Sequence, residues 1–293
     1  MEPLASWLTG LAATAIGGLA YSAGYEVRAY TLREFEAPVL QAGQKQIRIL
    51  HLSDLHMTPR QLRKQKWISK LAELEPDLVV VTGDFLAHLE AVEPVLKSFE
   101  SLAHIPGVFV FGSNDYYAPT LKNPTIYLKR DVGQRYLGPE LPWRDLKSGL
   151  EKFGWVDLTH QRHSTVINGV DLEFRGVDDP HLGLDNYPSV AGPVRAGALG
   201  IGVTHAPYLR VIDAMADDKN PLILAGHTHG GQLCLPFLGA LVTNCDLDTS
   251  RAKGLHRHQD SWMHVSAGLG TNPFTPVRFE CRPEATLLTL TSS

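Results

Sequence analysis

The chain has 293 residues, 44% of them apolar, with 27 basic against 31 acidic side chains and a net charge of −4. This is enough apolar material for one large α/β domain or two small ones, and it excludes a disordered chain. The slight acidic excess argues against nucleic acid as the main partner.

Residues 3–25, PLASWLTGLAATAIGGLAYSAGY, carry no charge, and about 20 such residues can cross a bilayer as a helix. Glu2 stands where a secretory signal has a basic region. Arg28 and Arg33 follow the segment and favour a cytoplasmic position for the bulk of the chain. Residues 1–30 are therefore read as a hydrophobic helix anchoring the chain at the inner membrane, that is, the cell membrane; a cleaved leader and a soluble docking helix are the alternatives. Cys234, Cys245 and Cys281 include no C-x-x-C pair. They point to buried thiols in a reducing compartment, one disulfide with a thiol left over being the other arrangement open to three.

After a short polar link, QIRILHL (46–52) predicts the first strand of a domain covering 45–293. QLRKQKWISKLAEL predicts a helix with Trp67, Ile68, Leu71 and Leu74 on one face. PDLVVVTGD is a second buried strand, 90–102 a second helix, and GVFVFG a third strand. Such alternation predicts a sheet with helices on its faces, whose functional residues gather at the carboxyl ends of the strands. From 116 to 147 the pattern lapses into Tyr, Pro and charge, as in an inserted loop that lids or selects a ligand, or simply a solvated one. In STVINGVDLEF, Asn168-Gly169 between alternating segments signals a hairpin. LGIGVTHAP, NPLILAGHTHGGQ, SWMHVSAGLG and EATLLTLT supply further strands.

The residues that follow these apolar runs carry the chemistry. They are Asp54 and His56, Asp84, Asn114, His205, and His227 with His229. Residues i and i+2 of an extended chain share a side, so Asp54 with His56, and His227 with His229, can each aim two donors into one space. Carboxylates mixed with imidazoles suit Mn, Fe or Zn better than Mg or Ca. A pair of such divalent ions can clamp a phosphoryl group; Asp84 is the candidate to touch both.

The segments SDLH, TGD, GSND, THAP and GHTHGGQ resemble the calcineurin-like metallophosphoesterases, from about Ile47 to the C-terminus. The sequence looks most like the branch of bacterial phosphodiesterases with an N-terminal membrane or leader segment. The resemblance implies a four-layered α/β/β/α sandwich and two-metal hydrolysis of phosphate esters. Asp54, His56, Asp84 and His229 would hold one ion; Asp84, His205, His227 and the turn after the third strand would hold the other.

That turn departs from the family's G-N-H-D. Gly112 and Asp115 keep the frame, but Ser113 stands at the ligand position and Asn114 at the position of the histidine. Either Ser113 offers its hydroxyl to the metal or Asn114 its amide oxygen, the better donor. Neither can protonate a leaving group, so stable leaving groups such as nucleotides, pyrophosphates or aryl phosphates are expected. His88 and His181 are the candidates to replace the acid, Arg278 is a candidate phosphate contact through its forked donors, and Asp178 and Asp179 are candidates to orient metal-bound histidines. The expected activity is a metal-dependent phosphodiesterase or pyrophosphatase acting on a nucleotide or lipid-linked phosphate. The rival expectation is a metal-binding scaffold that has lost turnover.

Overall fold

The computed structural model describes residues 16–121 and 137–292. Two six-stranded sheets stack face to face, each positioned by strands that alternate between two apolar faces. The first has the order β1 (Thr31–Leu40), β14 (Glu284–Ser292), β2 (Ile47–Leu52), β3 (Leu78–Thr82), β4 (Gly107–Val110) and β5 (Val156–Asp157). The second has the order β12 (Gly254–His258), β13 (Ser261–Val265), β9 (Leu222–Ala225), β8 (Leu199–Val203), β7 (Val170–Gly176) and β6 (Gln161–Ile167).

In β2, Ile47 and Ile49 face the second sheet, where they pack, with Val80 of β3, against Phe174, Ile201 and Leu224. Leu50 and Leu52 face outward against Ile68, Val95, Phe99 and Leu146 of the helices Leu62–Ser69, Val92–Phe99 and Trp143–Lys152. The outer face of the second sheet, with Ile223, Met263 and Val265, is covered by Val211, Ile212 and Met215 of the helix Leu209–Asp217. The layers thus run helix, sheet, sheet, helix. β2, β3 and β4 are mutually parallel, as are β7, β8, β9 and β13. Their carboxyl ends, and the loops that carry the candidate ligands, therefore emerge at common edges.

Asn168 (φ 53°) and Gly169 (φ 82°) close the β6–β7 hairpin in the left-handed conformation that such a turn requires. All three cysteines are buried, and none is in a disulfide.

Three elements differ from the sequence expectation. β1 occupies the stretch read as a polar link; it is an edge strand, paired on one side only, with β14, and this tolerates Arg33, Glu34, Glu36 and Pro38. The helix Leu209–Asp217 was not anticipated. The helix Trp143–Lys152 begins inside the 116–147 insertion, because Leu146 and Leu150 pack into the core; residues 122–136 of that insertion lie outside the described residues. Residues 16–28 are helical, with a π turn at Tyr21–Tyr25. Among the described residues no helix is long and apolar enough to cross a membrane. Residues 1–15 of the expected anchor lie outside them.

Candidate metal centre

Five loops converge because backbone bonds lace them together. Asp54 N donates to Gly83 O (2.9 Å), His56 N to Asp84 O (2.9 Å), Gly226 N to His205 O (2.8 Å) and Gly270 N to Asp54 O (2.6 Å). Asp54 (φ 48°), His56 (φ 41°), Asp84 (φ 54°), His227 (φ 70°) and His229 (φ 49°) all adopt the left-handed backbone that L-residues avoid. Strain concentrated on chemistry-bearing side chains, and held by surrounding bonds, marks a functional site.

The side chains form two groups, Asp54 with His56 and His229, and Asp54 with Asp84 and His205, all buried; within each group the ligand atoms lie within 4.8 Å of one another. Asp84 spans both, with Oδ2 at 3.4 Å from His56 Nε2 and Oδ1 at 3.6 Å from His205 Nε2. His56 Nε2 and His229 Nε2 lie 3.2 Å apart. Two glycines make the close approach possible. A Cβ on Gly83, at φ 82°, would sit 2.6 Å from Gly112 N, and one on Gly112 would meet Asp84 Oδ1 and lie 2.7 Å from His205 Nε2.

The electrostatics call for cations. Burial raises Asp54 to a pKa of about 6, Asp84 adding to the rise and His205 opposing it. Burial would also raise Asp84, but His205, His56 and two Asn114 donors hold it below the usual carboxylate range. The facing carboxylates overcome burial at His205 and lift it to about 9, whereas burial lowers His56 to about 4 and holds His229 well below the usual imidazole range. The buried carboxylates and imidazoles thus shift one another's protonation, and Asp54 Oδ1 and His205 Nε2 have no hydrogen-bond partner among the described residues. Buried charge without pairing is costly. Carboxylate oxygens and imidazole nitrogens without hydrogen-bond partners, converging on one space, fit divalent ions.

Surrounding groups fix these donors. His205 Nδ1 donates to Thr82 O (2.6 Å), which leaves Nε2 for the centre. Asp115, fully buried, accepts from Gly112 N (2.9 Å) and Asp84 N (2.8 Å) through Oδ2, and from Phe85 N (2.7 Å) and Leu86 N (3.1 Å) through Oδ1. Burial and the Asp84 charge push its pKa upward; the four donors are what hold a carboxylate there.

A buried chain supports Asp54 from behind. Ser53 Oγ donates to Asp54 Oδ2 (2.6 Å) and Thr82 Oγ1 to Ser53 Oγ (2.8 Å). Having given up its one proton, Thr82 accepts from His51 Nε2 (2.9 Å), and His51 Nδ1 therefore accepts from His264 Nδ1 (2.8 Å). Burial keeps both rings neutral, as this order requires. With His227 N also donating to Asp54 Oδ2 (2.9 Å), only Oδ1 is left for an ion.

Of the seven candidate ligands, Asp54, His56, Asp84, His205 and His229 form the two groups. His227 adjoins them, its ring 5.2 Å from that of His205 and its Nε2 3.2 Å from Asn244 O. Asn114 faces Asp84, its N at 2.7 Å from Oδ1 and its Nδ2 at 2.7 Å from Oδ2, so in this arrangement the amide donates to the carboxylate. Ser113 Oγ lies 3.4 Å from Asn114 Nδ2.

Arg278 does not reach a phosphate position. It is wholly buried, and its Nη2 donates to the carbonyls of Ala267 (2.7 Å) and Gly270 (2.7 Å) and lies 3.4 Å from His229 Nδ1. It orders the loop behind His229. Asp178 accepts from the Tyr116 hydroxyl (2.7 Å), which ties its loop to the turn after β4, and Asp179 accepts from His181 N (2.9 Å) within its own loop; His205 Nδ1 and His227 Nε2 face the backbone carbonyls of Thr82 and Asn244. Of the two histidines considered as replacement acids, His88 is exposed and accepts from Glu90 N, whereas His181 stacks 4.4 Å from the His227 ring. Ser53, Thr82, His51 and His264 were missed. Their only local signal was apolar strand context, which reads as ordinary core.

Residues 47–231, which include all seven candidate ligands, match the family model for calcineurin-like phosphoesterase. The chain is similar to the uncharacterized metallophosphoesterase YkoQ of Bacillus subtilis, 30% identical over 253 residues, covering 83% of each chain. It is also similar to the phosphodiesterase YaeI of Escherichia coli, 27% identical over 251 residues, covering 83% of this chain and 82% of that one. A third relative is the UDP-2,3-diacylglucosamine pyrophosphatase LpxG of Chlamydia trachomatis, 27% identical over 286 residues, covering 83% of each. With carboxylates and imidazoles grouped at the strand ends and this match across them, the chain belongs to the calcineurin-like phosphoesterase family and is a metal-dependent phosphoric ester hydrolase.

Proposed function

We propose that the chain hydrolyses a phosphodiester or pyrophosphate bond whose leaving group departs without a proton from the enzyme, using two divalent ions of the Mn, Fe or Zn type. The observation that carries this reading is the pair of buried Asp/His groups sharing Asp54, with ligand atoms within 4.8 Å in each. Asp54, His56, Asp84 and His229 would hold one ion and Asp84 with His205 the other, with His227 and the amide of Asn114 closing the second site. Ions held there would supply the positive charge that the oxygens of a phosphoryl group require.

The chain's own groups set the limits of the chemistry. Asn114 can donate a hydrogen bond toward a departing oxygen but has no proton to transfer, and general acid help is typically worth about 10²–10⁴-fold. Nucleotide, pyrophosphate and aryl leaving groups need that help least. The relatives, a phosphodiesterase and a UDP-2,3-diacylglucosamine pyrophosphatase, support both bond types, and the uncharged segment 3–25 supports a lipid-linked substrate at the inner membrane.

The test is hydrolysis of bis(p-nitrophenyl) phosphate by full-length protein with Mn²⁺, beside Asp84→Ala. Metal-dependent turnover, abolished by EDTA and by the substitution, is expected. Two equivalents of bound metal without hydrolysis of any ester would instead establish the scaffold reading, which the absence of a histidine from the Gly112–Asp115 turn favours.

A further inference from the structure

Most exposed large apolar side chains of a globular protein are scattered singly. Here many gather on one face. β10 (Cys234–Leu235) and β11 (Gly239–Ala240) pair antiparallel, and the hairpin tip projects Phe237, fully exposed, and Leu238, 77% exposed. Phe237 also holds φ 68°, a left-handed backbone that a bulky aromatic adopts only under constraint, and no core packing compensates it.

Two neighbouring segments extend this surface. Leu233 bridges to Phe279, and Cys234 N donates to Phe279 O (2.9 Å). The other side of Phe279 meets the Tyr21 ring at 6.4 Å, and Arg278 N donates to Ser22 O (3.2 Å). The hairpin is thereby tied to residues 16–25, where Ile16 is 70% and Leu19 63% exposed. Gln232 Nε2 donates to the carbonyls of Thr275 and Val277, which brings in the loop carrying the exposed Phe274. Stretches 3–25, 233–245 and 269–277 contain no charged residue. The exposed charges beside them are Arg28, Asp246, Glu280 and Arg282, and Lys253 donates to Glu280 O.

We propose that this face docks on a lipid bilayer, with the hairpin tip inserted among the acyl chains and the candidate metal centre held near the headgroups. Three features favour a lipid surface over a second copy of the chain. The tip is a projecting point rather than a flat patch. Residues 16–25, whose exposed Ile16 and Leu19 lie in this face, belong to a stretch of the sequence, 3–25, that carries no charge and has a length a bilayer accommodates. Tyr21 and Tyr25 with Arg28 place aromatic and cationic groups where interfacial residues are found. The hairpin starts three residues beyond Gly231, at the end of the His229 turn, so docking would bring a membrane-borne phosphate ester toward the centre. The docking itself does not depend on the hydrolytic reading.

The test uses full-length protein and vesicles of phosphatidylcholine with about 30 mol% phosphatidylglycerol. In Phe237→Trp, vesicles are expected to shift the emission to the blue, and acyl chains brominated near the interface should quench it beyond the wild-type background. The double variant Phe237→Asp/Leu238→Asp should partition at least about tenfold more weakly while cleaving soluble bis(p-nitrophenyl) phosphate like the wild type. Absence of quenching at position 237 in protein that nevertheless sediments with vesicles overturns the proposal, because the N-terminal segment then acts alone. A concentration-dependent dimer lost in the double variant, again without quenching, overturns it in favour of a second copy. An inactive but vesicle-quenched protein would retire the hydrolytic reading and leave the docking face standing.

Discussion

Replacing Asp115 by asparagine removes one acceptor oxygen without changing shape. In the wild type each carboxylate oxygen accepts two backbone N–H groups, from Gly112 and Asp84 on one and from Phe85 and Leu86 on the other. In Asp115→Asn one of those pairs faces an NH₂ group, and two buried donors lose their acceptor. At about 1–3 kcal/mol for each buried group left unsatisfied, the loss is about 2–6 kcal/mol, a large fraction of a typical folding stability. Melting followed by circular dichroism should fall on the order of 10 °C. The same bonds tie the Asp84 turn to the Gly112 turn, so Mn²⁺ binding by calorimetry should weaken as well. Asp260→Asn, whose side chain is 85% exposed, serves as the control and should melt with the wild type. If Asp115→Asn also melts within about 1 °C of the wild type, the argument that this carboxylate holds the two turns together is wrong.

Gly83→Ala places a methyl group against Gly112 N and His205 Nδ1 on a left-handed backbone, and should bind fewer equivalents of Mn²⁺ by elemental analysis; full occupancy would show that the turn can yield. His264→Phe strips the donor from His51 Nδ1 and should destabilise metal-free protein by about 1–3 kcal/mol; an unchanged melting temperature in EDTA would refute the directed chain behind Asp54. Asn114→His should raise hydrolysis of alkyl phosphodiesters by about tenfold or more relative to p-nitrophenyl esters, and equal effects on both would mean that leaving-group protonation does not limit the rate. Burial, with Arg278 nearby, lowers Lys64 to a pKa of about 7, against about 10.4 in an unfolded chain. Between these values the unfolded state binds the extra proton, so the penalty for burying this charge, full and constant below the window, is relieved as pH rises across it. Lys64→Met should flatten that gain in stability in urea titrations, and parallel pH curves for variant and wild type would contradict it.

Local pattern carried much of this protein. The short apolar runs in QIRILHL, LVVVT and LILA place each strand, the Asn168-Gly169 pair its hairpin, and the residues just beyond the strand ends the candidate ligands, since strand patterning and turn chemistry are written over a few neighbouring residues. What remained hidden depends on residues far apart in the chain. His51 and His264 are separated by 213 positions, and nothing near either one shows that the facing sheets join them into a chain ending on Asp54. Arg278 has the residue type of a phosphate ligand, yet packing turns it inward onto the carbonyls behind His229. β1 reads as a link because its charges belong to an edge that only the order of the sheet reveals, and the hairpin at Phe237 becomes a surface only where residues 16–25 and Phe279 come to lie beside it.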